Sequence, residues 1–239
     1  GFRASGPTFS TSMKIRMGVT SDGKITACEG RFSYQHGAFA GSSAGFGATC
    51  AMAGYDCVNI DFDCYDVVLN RPKAAAYRAP GAPMSCYAIE SVLDEIAQKL
   101  DMDPIDLRLK NAVKEGMNSV YGPTFGPIGF VECLEAARDH PIMKAPLGPT
   151  QARGIAGGFW PNFGGLTSVS VNVTDDGNVL VSLGTPDIGG SRAGMCMMAA
   201  EELGIAYDRV QAIIADTSSL GFNDTTGGSR VTHSAGMAT

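Results

Sequence analysis

The sequence predicts an α+β fold, with mixed sheets and packed helices divided between two domains. Three observations lead there: two alternating apolar runs that each fold back at an Asp-Gly turn, several apolar stripes at helical spacing, and one aperiodic stretch between them. The 239 residues are 44% hydrophobic and 18% charged, with 31 glycines and 12 prolines. A chain this apolar buries enough surface to offset its ordering entropy, which excludes disorder, and the glycines follow no short repeat, which excludes collagen.

The first hairpin joins Ser12–Thr20, with Met13, Ile15, Met17 and Val19 on one side, through Ser21-Asp22-Gly23 to Lys24–Tyr34. A further alternating run, Val58–Leu69, stops at Asn70-Arg71-Pro72, where proline cannot extend a ladder. From Met84 to Leu100, Tyr87, Ile89, Val92, Leu93, Ile96 and Leu100 recur at steps of three and four, predicting a helix with Asp94, Gln98 and Lys99 opposite its buried stripe. Asp103-Pro104 offers an N-cap and a first-turn proline for a helix to about Val113, and Gly129–Arg138 fits a third. Pro141, Pro146, Gly148 and Pro149 make residues 140–153 the expected linker, dividing domains 1–145 and 146–239. Beyond it, Leu166–Val173 alternates, Asp175-Asp176-Gly177 turns and Val179–Leu183 returns. Ser191–Leu203, closed by Gly204, fits a fourth helix, which feeds a strand at Val210–Ala215. No fixed-period repeat is present, although each half shows hairpin, Gly-rich loop and helix in the same order.

Net charge is −6, with 18 basic and 24 acidic residues spread evenly, so no clustered basic face exists to neutralise nucleic acid. No run of eighteen apolar residues occurs, and the first residues lack the basic-then-apolar order of a signal peptide. Seven cysteines are present without a C-x-x-C pair. Cys50, Cys57 and Cys64 recur every seven residues, but Gly54 and the alternation after Asn59 argue against a helix that would align them. They are expected to be buried or incidental thiols in a reducing cytoplasm, with no membrane partner and no protein-ligated metal.

Three segments invite chemistry. In Ala76-Tyr77-Arg78-Ala79-Pro80-Gly81-Ala82-Pro83 the prolines and glycine fix the backbone, so Arg78 either steadies negative charge on a substrate or bonds loop carbonyls. Gly184–Ser191 connects strand to helix with small residues. Free N–H groups at a helix start suit an anion, and the alternative is a tight turn capped by Ser191; neither phosphate-loop nor dinucleotide pattern is matched. Thr225–Arg230 is again small and polar, and Gly227-Gly228 permits close backbone approach. Together the loops suggest a large polar cofactor held mostly by main chain. A Ser–His–Asp hydrolase lacks its G-x-S-x-G elbow. His36 and His140 read as surface residues, His233 lies near the third loop, and Trp160 sits in an aromatic cluster, Gly157–Gly165, expected to pack. Glu90 and Glu95 are expected to cap or face solvent.

Asn70-Arg71-Pro72, Ala76-Tyr77-Arg78-Ala79-Pro80-Gly81, Glu90–Glu95, Asp103–Arg108 and Lys110-Asn111, followed in order by Asp187–Ser191, Ala200–Ile205, Asp216-Thr217 and Gly227–Arg230, resemble the molybdenum-binding subunit of the xanthine dehydrogenase and aldehyde oxidase family over nearly the whole chain. The resemblance implies parts of two molybdopterin-binding domains of a hydroxylase that oxidises an aldehyde or N-heterocycle with water-derived oxygen. It implies molybdopterin with Mo, in bacteria commonly as the cytosine dinucleotide. Iron–sulfur clusters and FAD would reside on partner subunits or domains. Arg78 matches the family's active-site arginine. Gly189, Gly190 and Ser191, with Thr226, Gly227, Gly228 and Ser229, match segments that hold the pterin and its phosphates.

The chain departs from the family in three ways. Gly189-Gly190-Ser191 stands where the family has Gly-Gln-Gly, so a glutamine contact is missing. Residues 76–83 hold no copper-ligating cysteine, which disfavours carbon monoxide oxidation. The sequence is also expected to start after the family's F-G-G loop and stop before the Gly-x-Gly-Glu segment that supplies its general base. The chain thus reads as an interior portion or one piece of a split subunit, completed by the remaining parts. The alternative is a cofactor-free structural or interaction fragment.

Overall fold

The computed structural model describes residues 5–161, 164–214 and 216–239, which form two compact units, Gly1–Trp160 and Pro161–Thr239. The first unit carries β1 (Thr11–Val19), β2 (Ile25–Gly37), α1 (Ala44–Ala51), β3 (Ile60–Val68), α2 (Ala82–Lys99), α3 (Pro104–Asn111), α4 (Phe130–Asp139) and the short α5 (Pro141–Lys144). β1 and β2 pair antiparallel through the expected turn, and β3 joins β2 in parallel after a crossover through α1. Alternation in register sets Met17, Ile15 and Met13 beside Cys28, Gly30 and Phe32 on one face, while Arg16 and Glu29 pair at 3.1 Å on the other. α2 lies over β1 and against α1, burying Ile89, Leu93, Ile96 and Ala97 into a core with Phe32, Tyr34 and Met52. Each large side chain buried this way contributes roughly 1.5–3 kcal/mol. Asp103 caps α3 by accepting from the N–H groups of Ile105 and Asp106.

The second unit carries β4 (Val169–Val173), β5 (Val179–Leu183), α6 (Ser191–Leu203) and β6 (Val210–Ile214). It ends in a π-turn (Val231–Ala235) and α7 (Gly236–Ala238). Strands β4 and β5 are antiparallel, and β6 joins β5 in parallel after α6. The sequence puts this last strand at 210–215; it ends at Ile214, and Ala215 lies outside the described residues. Val179, Val181 and Leu183 pack on Met195, Cys196, Ala199 and Ala200.

Each unit is therefore a hairpin, a crossover helix and a third strand parallel to the second. The correspondence extends further. Ala75 N–H donates to Pro7 O (2.9 Å), tying the segment before β1 to the loop after β3, and Asp224 N–H donates to Leu166 O (2.9 Å), tying the segment before β4 to the loop after β6. The order noted in sequence is thus a duplicated ββαβ topology without a sequence period.

Several expectations change. The Gly-rich segment before Gly54 contains α1, whose glycines hid its helical spacing. Tyr87 is 78% exposed and lies off the buried face of α2, whereas Glu90, expected in solvent, is 6% exposed and on it. His36, expected on the surface, is 4% exposed at the end of β2, stacked on Phe9 with Nδ1 held by Phe39 O at 2.7 Å. His140 is exposed and caps α5. Residues 146–160, which follow the expected 145/146 boundary, form a strap that groups with the first unit, where Gly157 N–H donates to Glu90 at 2.8 Å and Ile155 packs near α4. Of the aromatic cluster, Trp160 packs near Phe46, with ring centroids 6.3 Å apart; Asn162 and Phe163 lie outside the described residues. All seven cysteines are free, and Cys28, Cys50, Cys57 and Cys196 are buried. No helix among the described residues is long and apolar enough to cross a membrane.

Candidate functional site

The loop that presents Arg78 is built by contacts around its end. Residues 72–77 have no regular structure, Ala79 and Gly81 take positive φ (52° and 89°), and α2 starts at Ala82 with Ala82 N–H donating to Ala79 O at 3.0 Å. Gly81 is required twice over, for its φ and because a Cβ there would lie 2.4 Å from Ser43 O in the turn before α1. Its carbonyl accepts the buried Tyr34 hydroxyl at 2.7 Å, and burial pushes that phenol above its ordinary pKa. Gly81→Ala is therefore expected to destabilise the first unit by about 1–3 kcal/mol, the cost of enforced backbone strain, read as a lowered unfolding midpoint. A midpoint within a degree of the parent would show that the loop relaxes freely.

Held on this anchor, Arg78 is exposed and makes no hydrogen bond or ion pair among the described residues. The alternative read from sequence, an arginine that bonds loop carbonyls, has no such bond here. Directly upstream, Pro72–Ala76 form one wall of a cavity of about 540 Å³ that also meets Phe9, His36, Gly41 and Ser43. Sequence reading missed His36 as a wall residue because His-Gly after a strand looks like a surface turn. Beneath the loop, Cys86 donates to Cys50 O at 3.7 Å, and burial raises both thiols, Cys50 to about 12, so neither is a ready nucleophile.

The other seven predicted residues lie in the second unit. Gly189 (φ 64°) and Gly190 (φ 83°) are exposed, and nothing lies within 4 Å of a Cβ built on either. Gly190, not Ser191, occupies the cap of α6. Ser191 is the first helical residue, and its hydroxyl turns back to accept from Ile188 N–H and donate to Pro186 O, both at 3.3 Å. Asp187 accepts from Arg192 N–H at 3.1 Å and pairs with its guanidinium at 3.5 Å, so the positive end of α6 is already partly neutralised.

Thr226–Ser229 form the loop before the π-turn. Gly228 and Ser229 both take φ near 64°, and Gly227 faces open space. Arg230 frames this loop. Its side chain donates to Gly164 O (3.2 Å), Asp224 O and Leu166 O (3.0 Å each) and the Thr167 hydroxyl, an extensive structural role that a surface-like Ser-Arg pair conceals. His233 is exposed in the π-turn. The two loops meet at their roots, since a Cβ on Gly184 would lie 2.5 Å from Asn223 Nδ2. Buried there without a hydrogen-bond partner among the described residues are Thr185 Oγ1 and Asn223 Oδ1, a donor and an acceptor beside two Gly-rich loops. This donor set fits a large polar cofactor gripped by backbone and hydroxyls. No cluster of three or more His, Cys, Asp or Glu among the described residues is able to hold a metal ion.

Two family models, each of a molybdopterin cofactor-binding domain, match residues 1–112 and 144–239. The xanthine dehydrogenase molybdenum-binding subunit of Escherichia coli O157:H7 is 31% identical over 159 residues, 60% of this chain and 21% of that protein. The aldehyde oxidoreductase molybdenum-binding subunit of Escherichia coli (strain K12) is 31% identical over 162 residues, 63% of this chain and 22% of that protein. The chain thus spans about a fifth of the length of these relatives. Among solved structures, the aldehyde oxidoreductase from Desulfovibrio desulfuricans ATCC 27774 superposes with a TM-score of 0.83 at 28% identity, over 97% of this chain and 27% of that one. The Cu,Mo-CO dehydrogenase shares the fold, with a TM-score of 0.74 at 23% identity over 98% of this chain and 35% of that one.

Proposed function

The chain belongs to the molybdopterin cofactor-binding domains of the xanthine dehydrogenase and aldehyde oxidoreductase type, and from that premise we propose that it supplies part of the pocket of a hydroxylase acting on an aldehyde or N-heterocycle. The observation that carries the proposal is the meeting of two Gly-rich loops over the Thr185 hydroxyl and the Asn223 side-chain oxygen, both buried and without a hydrogen-bond partner among the described residues. Gly189–Ser191 and Thr226–Ser229 would hold the pterin and its phosphates. Because Asp187 already faces the start of α6, the anionic portion falls mainly to Thr226–Ser229, and the missing glutamine contact leaves more of the grip to main chain. When bound, molybdopterin with Mo supplies the two-electron redox centre. Arg78, carried on the anchored loop and without a hydrogen-bond or ion-pair partner among the described residues, would stabilise negative charge growing on the substrate.

The remaining parts of the molybdenum subunit would complete the pocket and supply the general base, with iron–sulfur and flavin (FAD) partners taking the electrons. We favour the cytosine dinucleotide form of the cofactor, and a cytoplasmic setting supported by the free thiols. A domain boundary near 145 is supported by the second family model, which begins at residue 144, with the strap to Trp160 docking back on the first unit.

Metal analysis tests the reading. Purified with the remaining parts of its subunit, the chain is expected to carry stoichiometric molybdenum, and alone it is expected to carry little. Full occupancy in the isolated chain would refute a shared pocket. No metal in the completed subunit would refute the enzyme and favour a non-catalytic fragment.

A further inference from the structure

Charge is spread evenly along the chain as a whole, but not around the cavity upstream of Arg78. The walls of this space of about 540 Å³ come from three stretches: Phe9, the turn from His36 to Ser43, and Pro72–Ala76. Each stretch belongs to a run without carboxylates, because no Asp or Glu occurs before Asp22, between Glu29 and Asp56, or between Asp66 and Glu90. The last of these runs brings Arg71, Lys73 and Arg78 close together. Asp66, which meets the wall at Gly41, is already spent, since its Oδ2 accepts the N–H groups of Gly41 (2.6 Å) and Ser42 (3.0 Å).

The polar groups of the wall are by contrast unspent. Lys73 is exposed, and its ammonium makes no hydrogen bond or ion pair among the described residues. Ser43, at the cap of α1, makes no cap bond with its hydroxyl. His36 is buried in a parallel ring stack with Phe9, and with Nδ1–H given to Phe39 O it has only Nε2 left to offer. We propose that this cavity receives a carboxylate carried by the substrate and that Lys73 selects it, so the substrate is an aromatic aldehyde or N-heterocycle bearing an acid group. An ammonium in a wall without opposing carboxylates draws an anion by charge and donates to its oxygens, while the Phe9–His36 stack gives a planar ring a flat side. Ala76 ends the wall two residues before Arg78, which leaves the reacting end of the substrate to the guanidinium. This inference rests on the reading of Arg78 as facing substrate.

The test uses the chain co-expressed and purified with the remaining parts of its subunit. In calorimetric titrations benzoate is expected to bind about tenfold tighter than its neutral isostere benzamide, the worth of one charge-assisted hydrogen bond, and the ratio is expected to shrink as salt rises. Lys73→Gln, a change at an exposed site, is expected to bring the ratio close to one at the unfolding midpoint of the parent, and Lys73→Arg to keep it above one. With molybdenum loaded, the same preference is expected in kcat/KM for 4-carboxybenzaldehyde over its methyl ester, lost through KM in Lys73→Gln. Equal affinity for benzoate and benzamide, or a preference that survives Lys73→Gln, would overturn the carboxylate site. So would a loss of co-purified subunit parts in Lys73→Gln, which would make Lys73 an assembly contact. A benzoate preference that depends on Lys73 in a complex that never loads molybdenum would uphold this site and remove the hydroxylase reading.

Discussion

Arg108→Met is expected to lower the stability of the first unit by about 3–5 kcal/mol, the usual result of removing one partner from a buried ion pair. Arg108 is fully buried and reaches Glu90 through Nε (2.8 Å), Asp94 through Nη2 (2.8 Å) and Pro104 O through Nη1 (3.0 Å). Burial alone would lower its pKa, but Glu90 and Asp94 more than offset this and hold the guanidinium above its ordinary value. Glu90 also accepts from the Tyr55 hydroxyl at 2.5 Å and from Gly157 N–H at 2.8 Å, and burial with the neighbouring carboxylate drives the Tyr55 phenol upward. Losing the guanidinium therefore leaves a buried carboxylate with only neutral donors. Replacing both buried partners, Arg108→Met with Glu90→Leu, is expected to recover much of the loss, because the charge that remains, on Asp94, is half-exposed and solvated. Urea unfolding of the four members of this cycle measures the coupling. A single-variant loss under about 1 kcal/mol would show that Tyr55 and Gly157 satisfy Glu90 unaided. Because Gly157 lies on the strap, faster amide exchange at that residue in Arg108→Met would show that the ion pair also pins the strap to α2.

That network marks where the sequence is readable and where it is not. Strands β1 to β5 and helices α2 to α4 and α6 follow from local signals: Asp22-Gly23 and Asp176-Gly177 set the turns, Asp103-Pro104 starts α3 and Gly204 ends α6. Such signals need only neighbours a few residues away. α1 escaped because its glycines serve packing and not propensity: a Cβ on Gly47 would lie 2.1 Å from the Tyr34 hydroxyl, a contact between residues thirteen apart on different elements. Glu90 escaped for the same reason, since a carboxylate on a buried face looks solvent-bound until Arg108 is seen opposite it. The second unit repeats the pattern. Its Gly-rich loops are legible as loops, but Arg230 as their framing residue depends on Gly164, Leu166 and Asp224, which fold back from well upstream or across the loop. Ser191 reads as a cap by type, yet Gly190 takes that place because only the glycine accommodates the left-handed turn.

Arg78→Ala in the completed enzyme is expected to reduce kcat/KM on the order of 10²-fold, the effect of deleting one preorganised donor to developing negative charge. The guanidinium has no partner among the described residues to release, so its loss removes no fold contact and the change falls on the substrate side. The loop beneath it is anchored independently by Gly81, whose carbonyl holds the Tyr34 hydroxyl and whose backbone abuts Ser43, so the deletion should leave the unfolding midpoint and molybdenum content as they were. Arg78→Lys tests geometry apart from charge: an ammonium keeps the sign but loses the planar fork, and it is expected to recover only part of the rate. The division between kcat and KM is informative, because a group that acts only as charge develops lowers kcat, whereas one that merely holds bound substrate raises KM. An unchanged kcat/KM at full metal content would make Arg78 a bystander on a rigid loop. A parallel loss of metal would make it a cofactor-holding residue instead.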